Sequence, residues 1–129
     1  MKEIINCLLV DDDPDDQEIF IMMAERINKN IKCLTANNGA EAVWMLNTNK
    51  ELIPDYIFLD VNMPKMNGLE CLKSIKTCEH LKHCKIFMYS TTSEDSIVAK
   101  AKELGATDFI VKPALTSELK EILSKIFHN

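Results

Sequence analysis

Five short apolar runs recur along the chain, and each is followed by a segment with helical start signals or helical spacing. The runs lie at 4–10, 31–36, 55–60, 85–90 and 108–112. They are continuously apolar rather than alternating, which is typical of strands covered on both faces. Strands that alternate with helices predict an α/β fold, with a five-stranded parallel sheet between two layers of helices.

The first helix is predicted from its start signals and its apolar spacing. Asp13 is a favourable N-cap and Pro14 suits the first helical position, with two further aspartates in the first turn, where the helix dipole favours anions. Four apolar residues then recur at helical spacing and predict the face that packs on the sheet: Ile19, Met22, Met23 and Ile27.

Four more helices are predicted after the later runs. Asn38 and Asn67 each stand three residues before a glutamate, a spacing that resembles a capping box. The next helix is predicted over 93–104, with its first residue as the cap and Gly105 in the stop position. The last helix begins at Thr116 and has a strong amphipathic stripe.

Negative charge is crowded where the first run ends. In LLVDDDPDD, residues 8–16, five aspartates occupy six positions. Two such carboxylates about 4 Å apart repel by roughly 4 kcal/mol near a protein surface. A cation, a helix N-terminus or solvation could offset this repulsion. Three of the five aspartates suit a helix start, which leaves Asp11 and Asp12 at the carboxyl end of the strand.

The same aspartates account for the net charge of −5, because the rest of the chain has fifteen acidic and fifteen basic residues. A chain without a basic excess is a poor candidate for nucleic-acid binding. No run approaches the roughly eighteen apolar residues of a membrane-spanning helix. Five cysteines without paired spacing favour a reducing cytoplasm over a disulfide framework.

Five polar residues are predicted to meet at one edge of the sheet. Asp11 and Asp12 end the first strand, Asp60 the third, Ser90 the fourth and Lys112 the fifth. Right-handed crossovers bring the carboxyl ends of parallel strands to the same edge, where such folds bind ligands. Carboxylates suit Mg²⁺, one of them can act as a nucleophile, and a lysine and a hydroxyl suit phosphoryl oxygens. The set therefore points to phosphoryl transfer.

Four segments resemble the signature segments of response-regulator receiver domains from two-component signalling, of the single-domain, CheY-like type. They are LLVDDDPDD, DYIFLDVNMPKMNG, FMYSTTS and DFIVKPA, and they occur in order and with suitable spacing along essentially the whole chain. The resemblance implies a doubly wound, flavodoxin-like sheet with strand order 2-1-3-4-5. It also implies one receiver domain over residues 1–129 with no output domain.

The resemblance implies a role for each residue at the acidic end of the site. Asp60 would be the phosphoacceptor, and Asp11 and Asp12 the acidic pair for Mg²⁺ or Mn²⁺, with Asp12 closer to the metal. Asn62 would offer its backbone carbonyl to the metal. Gly68 ends the M-P-x-x-x-G pattern of the loop that follows the acceptor.

The resemblance also implies roles near the last two strands. Ser90 would bond the phosphoryl group, and Thr91 belongs to the same loop. Lys112 matches the invariant lysine, with a cis peptide bond before Pro113. Phe109 matches the aromatic switch position and would act with Ser90, through packing, because it has no hydroxyl.

The partners follow from the same resemblance. We expect the phosphoryl donor to be a histidine kinase or a histidine phosphotransfer protein, because none of His80, His83 and His128 falls at a strand end. Output would come through an unidentified protein, or through a phosphorylation-dependent homodimer that uses the fourth helix, the fifth strand and the fifth helix. The chain would not be an enzyme in its own right, although it would assist its own phosphorylation and dephosphorylation.

Two enzyme-like or cofactor-binding alternatives remain. A phosphohydrolase of the haloacid dehalogenase kind also forms an aspartyl phosphate, but it needs an aspartate where this chain has Asn62. Flavodoxin-like FMN binding needs a phosphate-cradling loop after the first strand, which is missing. A cluster of Cys78, His80, His83 and Cys84 has the wrong spacing for a closed zinc site, and we expect an ordinary surface loop there.

Overall fold

A computed structural model describes residues 4–127 and contains five strands and five α-helices in alternation. The strands are β1 (Ile5–Val10), β2 (Ile31–Ala36), β3 (Tyr56–Leu59), β4 (Lys85–Ser90) and β5 (Asp108–Val111). The helices are α1 (Pro14–Ile27), α2 (Gly39–Thr48), α3 (Gly68–Lys76), α4 (Asp95–Glu103) and α5 (Thr116–Phe127). Within the described range, no helix has both the length and the apolar character required to cross a membrane.

The sheet is fully parallel, with strand order β2-β1-β3-β4-β5, which confirms the predicted topology. In this order β1 lies beside β3, which is not the next strand along the chain. Val10 of β1 pairs with Leu59 of β3. The residues that follow these two positions are Asp11 and Asp60. The strand order therefore places two of the site carboxylates next to each other, at the point where such sheets open a crevice.

Two buried clusters cover the two faces of the sheet. On one face, Leu8 and Val10 of β1 pack with residues of α2, α3 and α4. On the other face, Cys7 and Leu9 pack with residues of α1 and α5. The central strands are apolar on both sides for this reason, as their continuous runs predicted, whereas the edge strands β2 and β5 include exposed residues.

The buried face of α1 differs in part from the predicted one. Phe20, Met23 and Ala24 form the face that packs on the sheet, whereas Ile19 and Met22 are 36% and 42% exposed. A helix rich in apolar residues has several faces with suitable apolar spacing. The direction in which α1 docks on the sheet determines that the face containing Phe20 is the buried one. The helix start is as predicted, with Pro14 in the first turn and Asp13 accepting a hydrogen bond from the N–H of Asp15.

The N-cap of helix α4 lies one residue later than predicted. Its N-cap is Glu94, which makes no side-chain capping bond, and Ser93 is exposed ahead of it. The preceding loop is turned instead by hydroxyls, since Ser90 Oγ accepts the N–H of Thr92 at 3.4 Å. The predicted stop is confirmed, because Gly105 follows α4 with φ of +100°, a left-handed conformation that favours glycine.

Candidate functional site

The strand ladder holds Asp11 and Asp60 in place at the carboxyl edge of the sheet. The N–H of Asp11 donates to the carbonyl of Ala36 at 3.0 Å, and the N–H of Asp60 donates to the carbonyl of Val10 at 2.9 Å. Asp11 is fully buried and Asp60 is 7% exposed, whereas Asp12 is exposed. One oxygen from each of these three carboxylates lies within 4.8 Å of the others.

This cluster is suited to a hard divalent cation. Burial raises the pKa of the Asp11 carboxyl, because the charged form loses hydration, and the hydrogen bonds from Lys112 and from the N–H of Asp13 only partly offset this effect. The negative charge of Asp60 raises the same pKa further. An oxygen-only set of two buried and one exposed carboxylates is the donor chemistry that Mg²⁺ or Mn²⁺ accepts. The residues present therefore fit the metal.

Lys112 lies at the centre of the acidic cluster. Its Nζ donates to Asp11 Oδ2 at 2.7 Å, to Asp16 Oδ2 at 2.8 Å and to Asp60 Oδ2 at 3.1 Å. The lysine side chain is only 9% exposed, and its ammonium also lies 5.3 Å from the centre of the Tyr89 ring. The structure therefore brings Lys112 to the carboxylates of both β1 and β3, as the sequence predicted.

The carboxylates keep this buried lysine charged. Burial alone would lower the pKa of Lys112, but its hydrogen bonds to Asp11 and Asp16 outweigh burial and hold the pKa above its ordinary value. Tyr89 lies beneath it as a neutral phenol, because burial raises the pKa of its hydroxyl to about 12. The site thus contains a fixed positive charge beside the carboxylate of Asp60.

The loop after β3 wraps closely around the Asp60 backbone. The N–H of Asn62 donates to Asp60 Oδ1 at 3.3 Å, and the N–H of Gly68 donates to the carbonyl of Val61 at 2.9 Å. A Cβ on Gly68 would lie 2.1 Å from the carbonyl oxygen of Asp60. The glycine is therefore required by this close approach, and it brings the start of α3 against the end of β3.

The remaining predicted residues lie along β4 and β5. Ser90 is fully buried at the end of β4, Thr91 is exposed in the loop that follows, and the carbonyl of Ser90 accepts the N–H of Lys112 at 2.8 Å. Phe109 is half-buried and pairs with Met88 on the neighbouring strand. Ser90 is therefore adjacent in structure to both the lysine and the strand that holds Phe109.

The predicted cis peptide bond before Pro113 is wrong, because the bond from Lys112 is trans. A bond to proline favours the trans form by about 0.5–1 kcal/mol unless local packing requires the cis form. The trans chain already allows the Lys112 N–H to reach Ser90 and the ammonium to reach three carboxylates.

Three of the four cysteines and histidines of the predicted surface loop have separate hydrogen-bond partners. Cys78 Sγ lies 3.4 Å from Asn47 Oδ1, and His80 Nε2 lies 3.2 Å from the carbonyl oxygen of Leu46. Cys84 Sγ lies 2.7 Å from the carbonyl of Pro54. These groups lie among α2, α3 and the turn before β4, away from the carboxyl edge of the sheet. His128 lies outside the described residues.

Sequence reasoning missed Asp16. An aspartate in the first turn of a helix has a sufficient local explanation in the helix dipole, yet the Asp16 carboxylate binds Lys112. The available signal was its place in the first turn of a helix that starts directly after a strand end. At that place a side chain can reach the same edge of the sheet as the strand-end residues.

Comparison with known proteins identifies relatives of the whole chain. The model of the family described as response regulator receiver domain matches residues 7–124. Chemotaxis protein CheY-3 of Vibrio cholerae is 33% identical over 134 aligned residues, which cover 98% of each chain.

Two solved structures share the fold over nearly the full length. A phosphorylated cyanobacterial phytochrome response regulator, RcpA, superposes with a TM-score of 0.87 at 27% identity, covering 95% of this chain and 91% of the other. The CheX–CheY–BeF3–Mg²⁺ complex of Borrelia burgdorferi gives a TM-score of 0.79 at 27% identity, covering 95% and 89%.

Proposed function

The chain belongs to the family of response-regulator receiver domains, and from that premise we propose that Asp60 takes up a phosphoryl group and thereby switches the surface of the protein. One observation carries the proposal. The Asp60 carboxylate, at the edge where β1 and β3 meet, lies 3.1 Å from a buried lysine ammonium and within the cluster of three carboxylates that fits a divalent cation. This combination provides a nucleophile beside a fixed positive charge.

Different residues of the chain have different roles in the proposed phosphoryl transfer. An oxygen of Asp60 attacks the phosphorus atom, and the bond to the donor breaks with its electron pair leaving on the donor. The ammonium of Lys112 stabilises the negative charge on the transferred oxygens while it keeps its own protons. Ser90 and Thr91 are proposed to bind the phosphoryl group, since they end β4 and begin the loop after it.

A divalent cation fits this scheme without any further residue. Asp11, Asp12 and Asp60 would hold Mg²⁺ or Mn²⁺, together with the backbone carbonyl of Asn62. When bound, the cation supplies positive charge that neutralises the carboxylates and the phosphoryl oxygens. The protein's contribution is to hold these oxygens together in a partly buried site before the cation arrives.

The phosphoryl donor is proposed to be a histidine kinase or a histidine phosphotransfer protein. Among the described residues, His80 and His83 lie in and just after the turn before β4, remote from Asp60, so the donor histidine would come from a partner. Output is proposed to occur through α4, β5 and α5, which would contact a partner protein or a second copy.

Labelling with acetyl phosphate and Mg²⁺ tests the proposal. We expect one phosphoryl group per chain in the wild type and none in Asp60→Asn, with Asp95→Asn as the control, because Asp95 is an exposed aspartate in the first turn of α4. Intact mass and circular dichroism would report labelling and folding. Labelling of a folded Asp60→Asn would contradict the assignment, and multiple-turnover hydrolysis of phosphate esters would favour the phosphohydrolase alternative.

A further inference from the structure

Lys112 uses all of its hydrogen-bonding capacity on carboxylates. A lysine ammonium has three N–H donors and no acceptor. Those donors reach Asp11, Asp16 and Asp60 at 2.7, 2.8 and 3.1 Å, and the bond to Asp60 is the longest of the three. Two donors are therefore engaged by flanking carboxylates, and the third is directed at Asp60.

The two flanking carboxylates, Asp11 and Asp16, differ in their other contacts. Asp11 belongs to the cluster of Asp11, Asp12 and Asp60 that fits a cation, whereas Asp16 lies outside it. Asp11 also accepts the N–H of Asp13 at 3.0 Å. A cation bound at the cluster would share the Asp11 carboxylate with Lys112. Asp16 is then the flanking carboxylate whose charge remains committed to the lysine.

Asp16 connects two elements that are far apart in sequence. It lies in the first turn of α1, and its side chain, 36% exposed, reaches the lysine that follows β5. A flexible lysine side chain loses considerable conformational entropy when it is fixed in one position. A carboxylate on a rigid helix start holds the lysine side chain in place beforehand. Less conformational entropy is then lost when the phosphoryl group binds.

We propose that Asp16 is a positioning residue for phosphoryl transfer, and that it acts by fixing the ammonium of Lys112 so that one N–H is directed at Asp60. This inference rests on the function proposed above. Asp16 does not touch the reacting atoms and exchanges no proton. The transfer itself forms the bond from Asp60 oxygen to phosphorus and breaks the donor's bond to phosphorus, and Lys112 stays protonated throughout.

Rates of labelling by acetyl phosphate test this role against a matched loss of charge. We expect Asp16→Ala to label about tenfold more slowly than the wild type, since small misplacements in a transfer site have effects of this order or larger. Asp15→Ala removes the same charge one residue earlier, from an exposed position, and should label at the wild-type rate. Equal slowing in both variants, or no slowing in Asp16→Ala, would overturn the proposal.

A double-mutant cycle separates action through the lysine from a general effect on the fold. Asp16→Ala should slow labelling in the wild-type background and have no further effect in a Lys112→Ala background, because residues that act as a unit are non-additive. Independent, additive losses would mean that Asp16 acts by another route, and the proposal would be rejected. Asp16→Asn keeps an acceptor oxygen and should lose less rate than Asp16→Ala.

A second readout needs neither metal nor phosphoryl donor. The ¹⁵Nζ–¹H signal of a lysine ammonium is observable when its protons are hydrogen-bonded and shielded from solvent. We expect this signal for Lys112 in the metal-free wild type and in Asp15→Ala, and its loss in folded Asp16→Ala. If the wild type fails to label but this pattern holds, the proposed function fails while the anchoring contact stands. If the signal survives unchanged in Asp16→Ala, the anchoring contact itself is refuted.

Discussion

At the scale of single residues, Asp11 shows a conflict between stability and function. The carboxylate is fully buried, and burial raises its pKa despite the hydrogen bond from Lys112. A raised pKa means that, in the pH window between the ordinary pKa of 3.8 and the raised pKa, the folded state binds more protons than the unfolded state. The contribution of Asp11 to stability therefore falls as pH rises through that window, and at neutral pH the ionised group opposes folding.

Asp11→Asn should consequently stabilise the metal-free protein, by about 1 kcal/mol, the usual size of single-residue effects. The amide oxygen can still accept from Lys112 while the bond from the Asp13 N–H is lost, and the repulsion with Asp60 is removed. The same variant should lose most of the stabilisation that Mg²⁺ gives the wild type through preferential binding to the folded state. Urea unfolding at neutral pH, with and without excess Mg²⁺, measures both effects.

Asp108→Asn is the control for this experiment, because Asp108 is an exposed aspartate at the start of β5. It should leave both the free energy of unfolding and the response to Mg²⁺ unchanged. An Asp11→Asn protein that is less stable than the wild type in the absence of metal would show that the pairing with Lys112 outweighs the burial penalty.

The thiols should differ strongly in reactivity according to their surroundings. Cys33 is half-buried on the edge strand, and a hydrogen bond from Cys7, its neighbour across β1 and β2, lowers its pKa. Cys71 is fully buried, and burial raises its pKa to about 12. Since the thiolate is the reactive form, iodoacetamide near neutral pH should alkylate Cys33 well before Cys71.

Peptide mapping at successive times would measure the two alkylation rates, and the urea-unfolded chain serves as the reference. Unfolding should bring the rates together, because the difference comes from burial and from the Cys7 contact. Comparable rates in the folded protein would contradict the assigned environments of Cys33 and Cys71.

Individual site residues were predictable from sequence where a strand end fixed them. Asp11, Asp60 and Lys112 meet because each directly follows a strand, β1, β3 and β5 in turn. The carboxyl ends of parallel strands lie at the same edge of the sheet. Asp16 was not predictable in the same way. Its helix position allowed a sufficient local explanation, and only the three-dimensional reach of its side chain reveals the contact with Lys112.

At the scale of elements, helix boundaries followed capping chemistry where the cap was unambiguous. Asn67 and Glu70 form the reciprocal capping box at the start of α3, with both bonds present. The start of α4 was misplaced because four hydroxyl residues precede it, at positions 90–93, and any of them satisfies the local rule. Ser90 and Thr92 use their hydroxyls to turn the loop instead, so the helix starts after them without a side-chain cap.

Gly68 fixes how the start of α3 packs against the end of β3, and its substitution should affect both stability and labelling. In Gly68→Ala, the added Cβ would meet the carbonyl oxygen of Asp60 at 2.1 Å, so backbone must move. We expect a loss of about 2–4 kcal/mol in the free energy of unfolding, within the range of strongly disruptive substitutions. Labelling should also slow, because the displaced segment includes Asp60, the proposed acceptor.

Gly105→Ala is the matched control for this glycine. It places a side chain at a φ of +100° after α4 and should cost about 1–2 kcal/mol through backbone strain. The position is remote from Asp60, so labelling should keep its wild-type rate. Chemical unfolding and labelling by acetyl phosphate, measured on both variants, separate a general loss of stability from a displaced acceptor. Wild-type labelling in Gly68→Ala would show that the loop accommodates the methyl group.

At the scale of the whole molecule, the topology was predictable because several independent signals agreed. Continuous apolar runs identified the central strands, and their alternation with helices required parallel pairing. The side of α1 that packs on the sheet was not predictable, because Ile19 and Met22 satisfy helical spacing as well as Phe20 does. That choice depends on how α1 docks beside α5, which is a property of the assembled fold rather than of one helix.

The whole molecule also determines how a phosphoryl group at Asp60 would affect a distant face. Ser90 is fully buried at the end of β4, directly before the loop that leads into α4, and its Oγ now accepts the N–H of Thr92. A phosphoryl group brings about two negative charges and strong acceptors, which would attract the hydroxyl proton and draw Ser90 and its loop inward. That movement would open space beside β5, where Phe109 lies half-buried next to Met88.

Ser90→Ala should therefore accept phosphate on Asp60, more slowly than the wild type, without the change on the face of α4, β5 and α5. A ligand shifts only states that it binds unequally, and coupling free energies of about 1–3 kcal/mol correspond to changes of about fivefold or more. Amide exchange with Mg²⁺ and beryllofluoride should slow by that factor at residues 91–94 and around Phe109 in the wild type and in Ser93→Ala, whose hydroxyl is exposed. In Ser90→Ala these amides should exchange at the same rate with and without beryllofluoride. A full response around Phe109 in that variant would rule out Ser90 as the link.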